Sequence, residues 1–233
     1  MEAGLNQTLK DLDLEYLDLY LMHWPVSSSP KTKQNEIEFI DVQLPPCNSY
    51  RPTNHFQTWK SMITLPKSRV LNIGISNFSP PQLVTLLNVT DTKPFAHQME
   101  LHPYLSQPSW LVTHKALGIA VTAYSPLGNS NPTYDDGKTP VLKNPVMVEI
   151  AKKRNCTAAQ VALSWGMSRG TSVIPKSSHR GYIEENFAAQ ECVLKDEDLL
   201  KIEHMAGQYL TRFNNPSKGW GVKLFEGLEG IPR

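Results

Sequence analysis

An α/β fold built on a parallel sheet is predicted by three observations. Short β-rich runs alternate with helical patterns along the 233-residue chain. Polar residues gather where the predicted strands end. No composition shift or linker interrupts the alternation, so residues 1–233 read as a single domain.

The elements follow in order. Glu2 to Lys10 reads as the end of a helix and Glu15 to Met22 as a strand. Phe56 to Leu65 reads as a helix with Phe56, Trp59 and Ile63 roughly on one face. Val70 to Ile75 reads as a strand, and Pro80 and Pro81 suit the first turn of the next helix, where no N–H partner is required. Phe95 to Met99 is a strand, Pro108 to Leu117 a helix stopped by Gly118, and Ile119 to Ala123 a strand. Thr157 and Gln160 form a capping box that opens a helix running through Trp165, Ser172 to Ile174 is a strand, and Tyr182 to Gln190 a helix. Pro25 to Asn54 and Gly207 to Arg233 read as long loops.

Composition narrows the function classes. The chain is 40% hydrophobic and 19% charged, ordinary for a globular protein. Its 23 Lys and Arg against 22 Asp and Glu leave no basic excess for nucleic-acid phosphates or an anionic membrane. Small or apolar partners are expected instead. Cys47, Cys156 and Cys192 are odd in number, widely spaced and without a C-x-x-C pair, so they read as reduced intracellular thiols acting as small buried hydrophobes, with no metal site. MEAGLNQTLK lacks a signal-peptide pattern and no later run is long enough to span a bilayer, so a cytoplasmic protein is expected.

The polar residues at the strand ends carry the functional reading. His23 follows the first strand, Ser76 and Asn77 the second, Gln98 and Glu100 the third, Tyr124 and Ser125 the fourth, and Lys176 and Ser177 the fifth. In a β/α barrel these ends converge on the face that holds active sites. A lone histidine at a strand end is usually structural, and a Ser-Asn turn usually caps a helix; five such positions in register point to a site. The run PKSS before a helix adds backbone N–H groups, a positive helix end and a lysine, a combination suited to phosphate.

Five segments, YLDLYLMHWPV, NIGISNFSPPQL, HQMELHPYLSQ, GIAVTAYSPLGN and VIPKSSHRGYIEENF, occur in the order and at roughly the spacing of the aldo-keto reductases. The chain resembles that family over nearly its whole length, and looks most like the fungal and plant-type members that reduce aldehydes, ketones or sugars with NADPH. The resemblance implies a (β/α)8 TIM barrel and NADP(H) as cofactor. It implies that His23 orients a substrate carbonyl beside Trp24 on the pocket wall. Ser76, Asn77 and Gln98 would hold the nicotinamide carboxamide, and Tyr124 would stack on the ring. Ser125 and Leu127 match the pyrophosphate loop, Lys176 and Ser177 the 2′-phosphate clamp, and Glu185 and Asn186 the adenine contacts. Trp110 and Trp220 read either as pocket walls or as packed core.

Two departures qualify what the resemblance implies. The family arginine six residues beyond the clamp lysine is Tyr182 here, which can stack but brings no charge; His179 or Arg180 could substitute, and NADPH remains the expected cofactor over NADH. In the family the HWP strand is the fourth, and the preceding part carries the aspartate, tyrosine and lysine of the catalytic tetrad. Of those four residues only His23 is matched. Tyr20, Tyr104, Tyr124 or a water would have to donate the proton instead.

The barrel is therefore expected to be incomplete, with about five β/α units and the first three strands absent. The first and last strands would then be edges. They would be covered by loops, or paired with a second copy or partner chain, or the polypeptide would be unstable alone. Three functions remain open: a carbonyl reductase acting on a small-molecule aldehyde or ketone, with weak or lost activity; a reductase-derived binding or isomerase/cyclase scaffold in secondary metabolism; and an inactive truncated gene product.

Overall fold

The computed structural model of the chain describes residues 1–26, 54–129 and 137–228. The segment Pro25 to Asn54, expected to be a loop, lies mostly outside the described residues, as does Cys47. The chain falls into two compact units, Met1–His97 with Ser217–Gly227, and Gln98–Pro216 with Leu228–Arg233.

In the first unit, helix α1 (Glu2–Leu12) ends at Asp13, which adopts a left-handed conformation and returns its N–H to the carbonyls of Leu9 and Lys10. Strand β1 (Leu17–Met22) pairs in parallel with β2 (Val70–Ser76), Leu17 opposite Val70 and Met22 opposite Ile75. Gly74 permits a close approach: a Cβ there would lie 2.5 Å from the carbonyl oxygen of Ala96.

Helix α2 (Asn54–Ile63) links β1 to β2. Its buried stripe is His55, Trp59 and Met62, while Phe56 and Ile63 are only half-buried. The helical period is as expected and Trp59 is common to both faces, but the centre of the buried face is rotated by roughly 65°. Helix α3 (Pro80–Asn88) opens with both prolines in its first turn, and the Ser79 N–H donates to Gln82 Oε1 at 2.9 Å.

Strand β3 (Ala96–Glu100) crosses the boundary between the units. The second unit continues with α4 (Pro108–Leu117), closed by Gly118 at φ 68°, and β4 (Ala120–Tyr124). Helices α5 (Pro145–Arg154) and α6 (Ala158–Ser168) precede β5 (Ser172–Val173), which pairs in parallel with β4. The α6 capping box forms as expected: Gln160 N–H donates to Thr157 Oγ1 at 3.1 Å and Thr157 N–H to Gln160 Oε1 at 3.0 Å. Helices α7 (Arg180–Phe187) and α8 (Asp196–Tyr209) follow; the short α9 (Ser217–Trp220) belongs to the first unit. Strand order is β1-β2-β3 in the first unit and β3-β4-β5 in the second.

Leu101, Tyr104, Met147, Val161, Trp165 and Ile202 are central to the buried core of the second unit. Two of its helices, α5 and α8, were not anticipated, although both carry local signals. The Asn144 side chain accepts from Val146 N–H ahead of Pro145, and Asp198 Oδ2 accepts from Lys195 N–H at 2.9 Å. Asp198 Oδ2 also accepts from Arg154 Nε at 2.6 Å, tying α8 to α5.

The expectation of three reduced thiols is corrected. Cys156 and Cys192 form a disulfide with Cα atoms 5.9 Å apart. Thirty-six residues separate them, and the α6–β5–α7 excursion returns the chain to the start of α6, which spacing alone does not reveal.

Candidate functional site

The first unit gathers four of the expected residues. His23 and Trp24 follow β1, and Ser76 and Asn77 close β2. Asn77 has φ 62°, a conformation that asparagine tolerates better than most residues, and it is buried. Its Nδ2 donates to the carbonyl oxygen of His23 at 3.0 Å and to Ser76 Oγ at 3.1 Å, joining the two strand ends.

The His23 ring is exposed, and partial desolvation by the protein behind it holds its pKa below the ordinary histidine value. At neutral pH it is an uncharged imidazole with one N–H donor and one acceptor nitrogen.

Trp24 is buried, with Trp220 edge-on at 5.0 Å and Phe225 at 6.0 Å between ring centroids. Trp220 is thus an aromatic neighbour of Trp24, whereas Trp110, in the second unit, packs at 4.3 Å against His114 in the core. His97 carries no signal in the sequence beyond its HQME setting. It is fully buried, and its Nε2 accepts from Phe78 N–H at 3.1 Å, bracing the turn that follows Asn77.

The second unit holds the other expected residues. Gln98 is half-buried on β3. Tyr124 is half-buried at the end of β4, and its hydroxyl accepts from Asn214 Nδ2 at 3.2 Å. Ser125 follows at φ 48°, and its carbonyl accepts from Gly128 N–H at 2.9 Å in a tight turn that includes Leu127, which packs against the core.

Lys176 is exposed and has no ion-pair partner among the described residues. Ser177 Oγ accepts from His179 N–H at 3.1 Å just ahead of α7. The Glu185 carboxylate accepts from Thr157 Oγ1, and its carbonyl accepts from Gln160 Nε2 at 3.2 Å, so Glu185 also fastens α7 to the start of α6; Asn186 beside it is half-buried.

Of the two residues considered as replacements for the missing arginine, Arg180 pairs with Glu184 at 2.8 Å in a highly exposed contact, and the His179 ring lies 5.4 Å from that of Tyr182. An exposed pair of this kind is worth about 0–1 kcal/mol. Tyr104 is unsuited to proton donation: fully buried, its hydroxyl donates to the Thr139 carbonyl and accepts from Asn144 Nδ2, both at 2.9 Å.

Among the described residues no group of three or more His, Cys, Asp or Glu is placed to hold a metal ion, and no helix is long and apolar enough to cross a membrane.

The sequence model of the Aldo/keto reductase family matches residues 1–206. An uncharacterized oxidoreductase of Schizosaccharomyces pombe is 39% identical, over 97% of this chain and 68% of its own length. Aldo-keto reductase family 1 member A1 of Bos taurus is 36% identical, over 87% of this chain and 62% of its own length. The chain therefore spans about two thirds of these relatives. Among solved structures, aldose reductase from Giardia lamblia superposes with a TM-score of 0.79 at 29% identity, covering 97% of this chain and 73% of that one. The Bombyx mori aldo-keto reductase, solved in complex with NADP, also gives 0.79, at 27% identity over 96% of this chain and 67% of that one. Sequence and backbone thus agree on a TIM-barrel type of fold, and the chain belongs to the aldo/keto reductase family of oxidoreductases.

Proposed function

We propose that this chain binds NADP(H) and orients an aldehyde or ketone for reduction to the alcohol. The observation that carries the reading is the left-handed Asn77, whose amide ties Ser76 Oγ to the His23 carbonyl and so fixes the backbone from which the His23 imidazole projects into solvent. Backbone held in a sparsely populated conformation is retained where a site needs it.

The residues present suit the cofactor. Tyr124 offers a partly accessible ring anchored at its hydroxyl, the turn after Ser125 offers backbone to a pyrophosphate, and Lys176 offers a cation without a carboxylate partner among the described residues. NADPH, when bound, supplies a hydride to the carbonyl carbon. The protein's part is to hold and polarise. The neutral His23 donates one N–H to the carbonyl oxygen, and Trp24 buttresses the backbone beside it under Trp220 and Phe225. The 2′-phosphate of NADPH favours Lys176 and Ser177, which NADH would leave unused.

In the same reading, the five described strands are five of the eight in the family barrel. The proton reaches the product alkoxide from a water or from a residue other than Tyr104. The substrate is a small carbonyl compound. The edges of β1 and β5, each with one partner strand among the described residues, pair with a further polypeptide segment or chain.

Titration with NADPH tests the reading. Tryptophan fluorescence should be quenched, with tighter binding than NADH, and the loss of NADPH absorbance on aromatic aldehydes should vanish in His23→Ala. A chain that binds neither nucleotide would overturn it.

A further inference from the structure

One of the polar residues at the strand ends is a buried carboxylate in the second unit that has no part in the cofactor or substrate contacts given above. Glu100, at the end of β3, is fully buried. Its Oε1 accepts from Phe213 N–H at 2.7 Å and from His102 Nε2 at 2.9 Å; its Oε2 accepts from Asn214 N–H at 2.9 Å. The direction at His102 follows from its other nitrogen, since Nδ1 accepts from Tyr104 N–H. Gln107 closes the ring: its Nε2 donates to the Glu100 carbonyl at 2.7 Å, and its Oε1 accepts from Arg212 Nη2 at 3.0 Å.

Burial alone would push the Glu100 carboxyl up. The His102 hydrogen bond, the Arg212 charge and the Phe213 N–H outweigh it and hold the group below the ordinary carboxylate range. An ionised carboxylate is expensive to bury, and apolar residues of the same volume would fill the space at least as stably. What a carboxylate provides and an apolar residue does not is the register of a remote segment, because two consecutive backbone N–H groups are held on its two oxygens.

That segment leads to the candidate site. The side chain of Asn214 donates to the Tyr124 hydroxyl, while the Tyr124 carbonyl accepts from Leu101 N–H at 3.3 Å, one residue beyond Glu100. We propose that Glu100 is a positioning residue: by fixing the backbone at Phe213 and Asn214, its carboxylate makes the Asn214 amide hold the Tyr124 phenol in the orientation in which its ring stacks on a nicotinamide. The purpose of the device rests on the NADP(H) reading given above; its mechanics do not.

The test uses the full chain labelled with ring-13C tyrosine, the Tyr124 signal being assigned with Tyr124→Phe. Glu100→Gln replaces one acceptor oxygen with an amide N–H₂ facing a backbone N–H. Asn214→Ala cuts the link to the phenol while leaving the buried carboxylate intact, and so serves even if Glu100→Gln does not fold. Both variants should shift the Tyr124 ring signal. Both should also weaken NADPH binding by about tenfold, the order expected for one lost hydrogen bond of this class. Binding of adenosine 2′,5′-bisphosphate, which has no nicotinamide, should stay unchanged, whereas general loosening of the fold would weaken both ligands.

An unmoved Tyr124 signal in Asn214→Ala overturns the proposal, and so does a moved signal with unaltered NADPH affinity. A wild-type chain that binds neither ligand brings down the nucleotide reading, and with it the purpose of the clamp, while the Tyr124 signal still decides whether the clamp exists.

Discussion

The side-chain amide of Asn77 donates to the main-chain carbonyl of His23, joining residues 54 positions apart at 3.0 Å. The same amide nitrogen reaches Ser76 Oγ, and the backbone that delivers it has φ 62°. Conformation and hydrogen bonding are therefore separable by substitution.

Asn77→Gly keeps access to the left-handed backbone and removes the amide; Asn77→Ala removes the amide and strains the backbone. Glycine is expected to cost about 1–2 kcal/mol through the two lost hydrogen bonds, and alanine about 1 kcal/mol more. Urea denaturation of the two variants checks the order. Equal stabilities would show that the left-handed backbone is unstrained for alanine.

The Cys156–Cys192 disulfide closes a loop across 36 residues. In urea without reductant the chain, which has three cysteines, should present one reactive thiol, and with reductant three. Chain-entropy reasoning puts the stability lost on reduction at about 3–4 kcal/mol. Thiol counting and denaturation with and without dithiothreitol measure both. Three thiols without reductant would refute the pairing.

His55 is buried against Phe56 and Phe78, its two ring nitrogens have no hydrogen-bond partner among the described residues, and desolvation pushes its pKa down to about 4. The unfolded chain, with an ordinary value near 6.5, binds the proton more readily. Stability from this group is accordingly complete above about pH 6.5 and declines as pH falls toward 4, by about 2–3 kcal/mol. His55→Leu should flatten the slope between pH 6.5 and 4 in denaturation midpoints. An unchanged slope would show that His55 titrates normally.

Lys176 is exposed, and the proposed reading places the 2′-phosphate of NADPH against it. Lys176→Ala should weaken NADPH binding by about tenfold, the loss of one charge-assisted contact, and leave NADH binding almost unaltered. Fluorescence titration with both nucleotides distinguishes this from a general loss of the site. Equal weakening of the two would remove Lys176 from the phosphate.

Local chemistry made much of the architecture legible before any coordinates. The Thr157–Gln160 pair, the prolines of α3 and the glycine after α4 act within a few residues of themselves, and the structure shows each in its expected place. The period-two and helical patterns likewise located the five strands to within about two residues. Helices α5 and α8 carry the same kind of local signal, Asn144 ahead of Pro145 and an acidic first turn after Lys195.

Tertiary structure decided what depends on partners far along the chain. Periodicity set the spacing of the apolar positions in α2, but packing chose the buried face, and chose His55 and Met62 over Phe56 and Ile63. The pairing of Cys156 with Cys192, the cover of Trp220 on Trp24, and the grip of Glu100 on the backbone of Phe213 and Asn214 have no period and no fixed offset. Each arises because folding brings distant segments within bonding distance, so the residues were visible in the sequence while their partners were not.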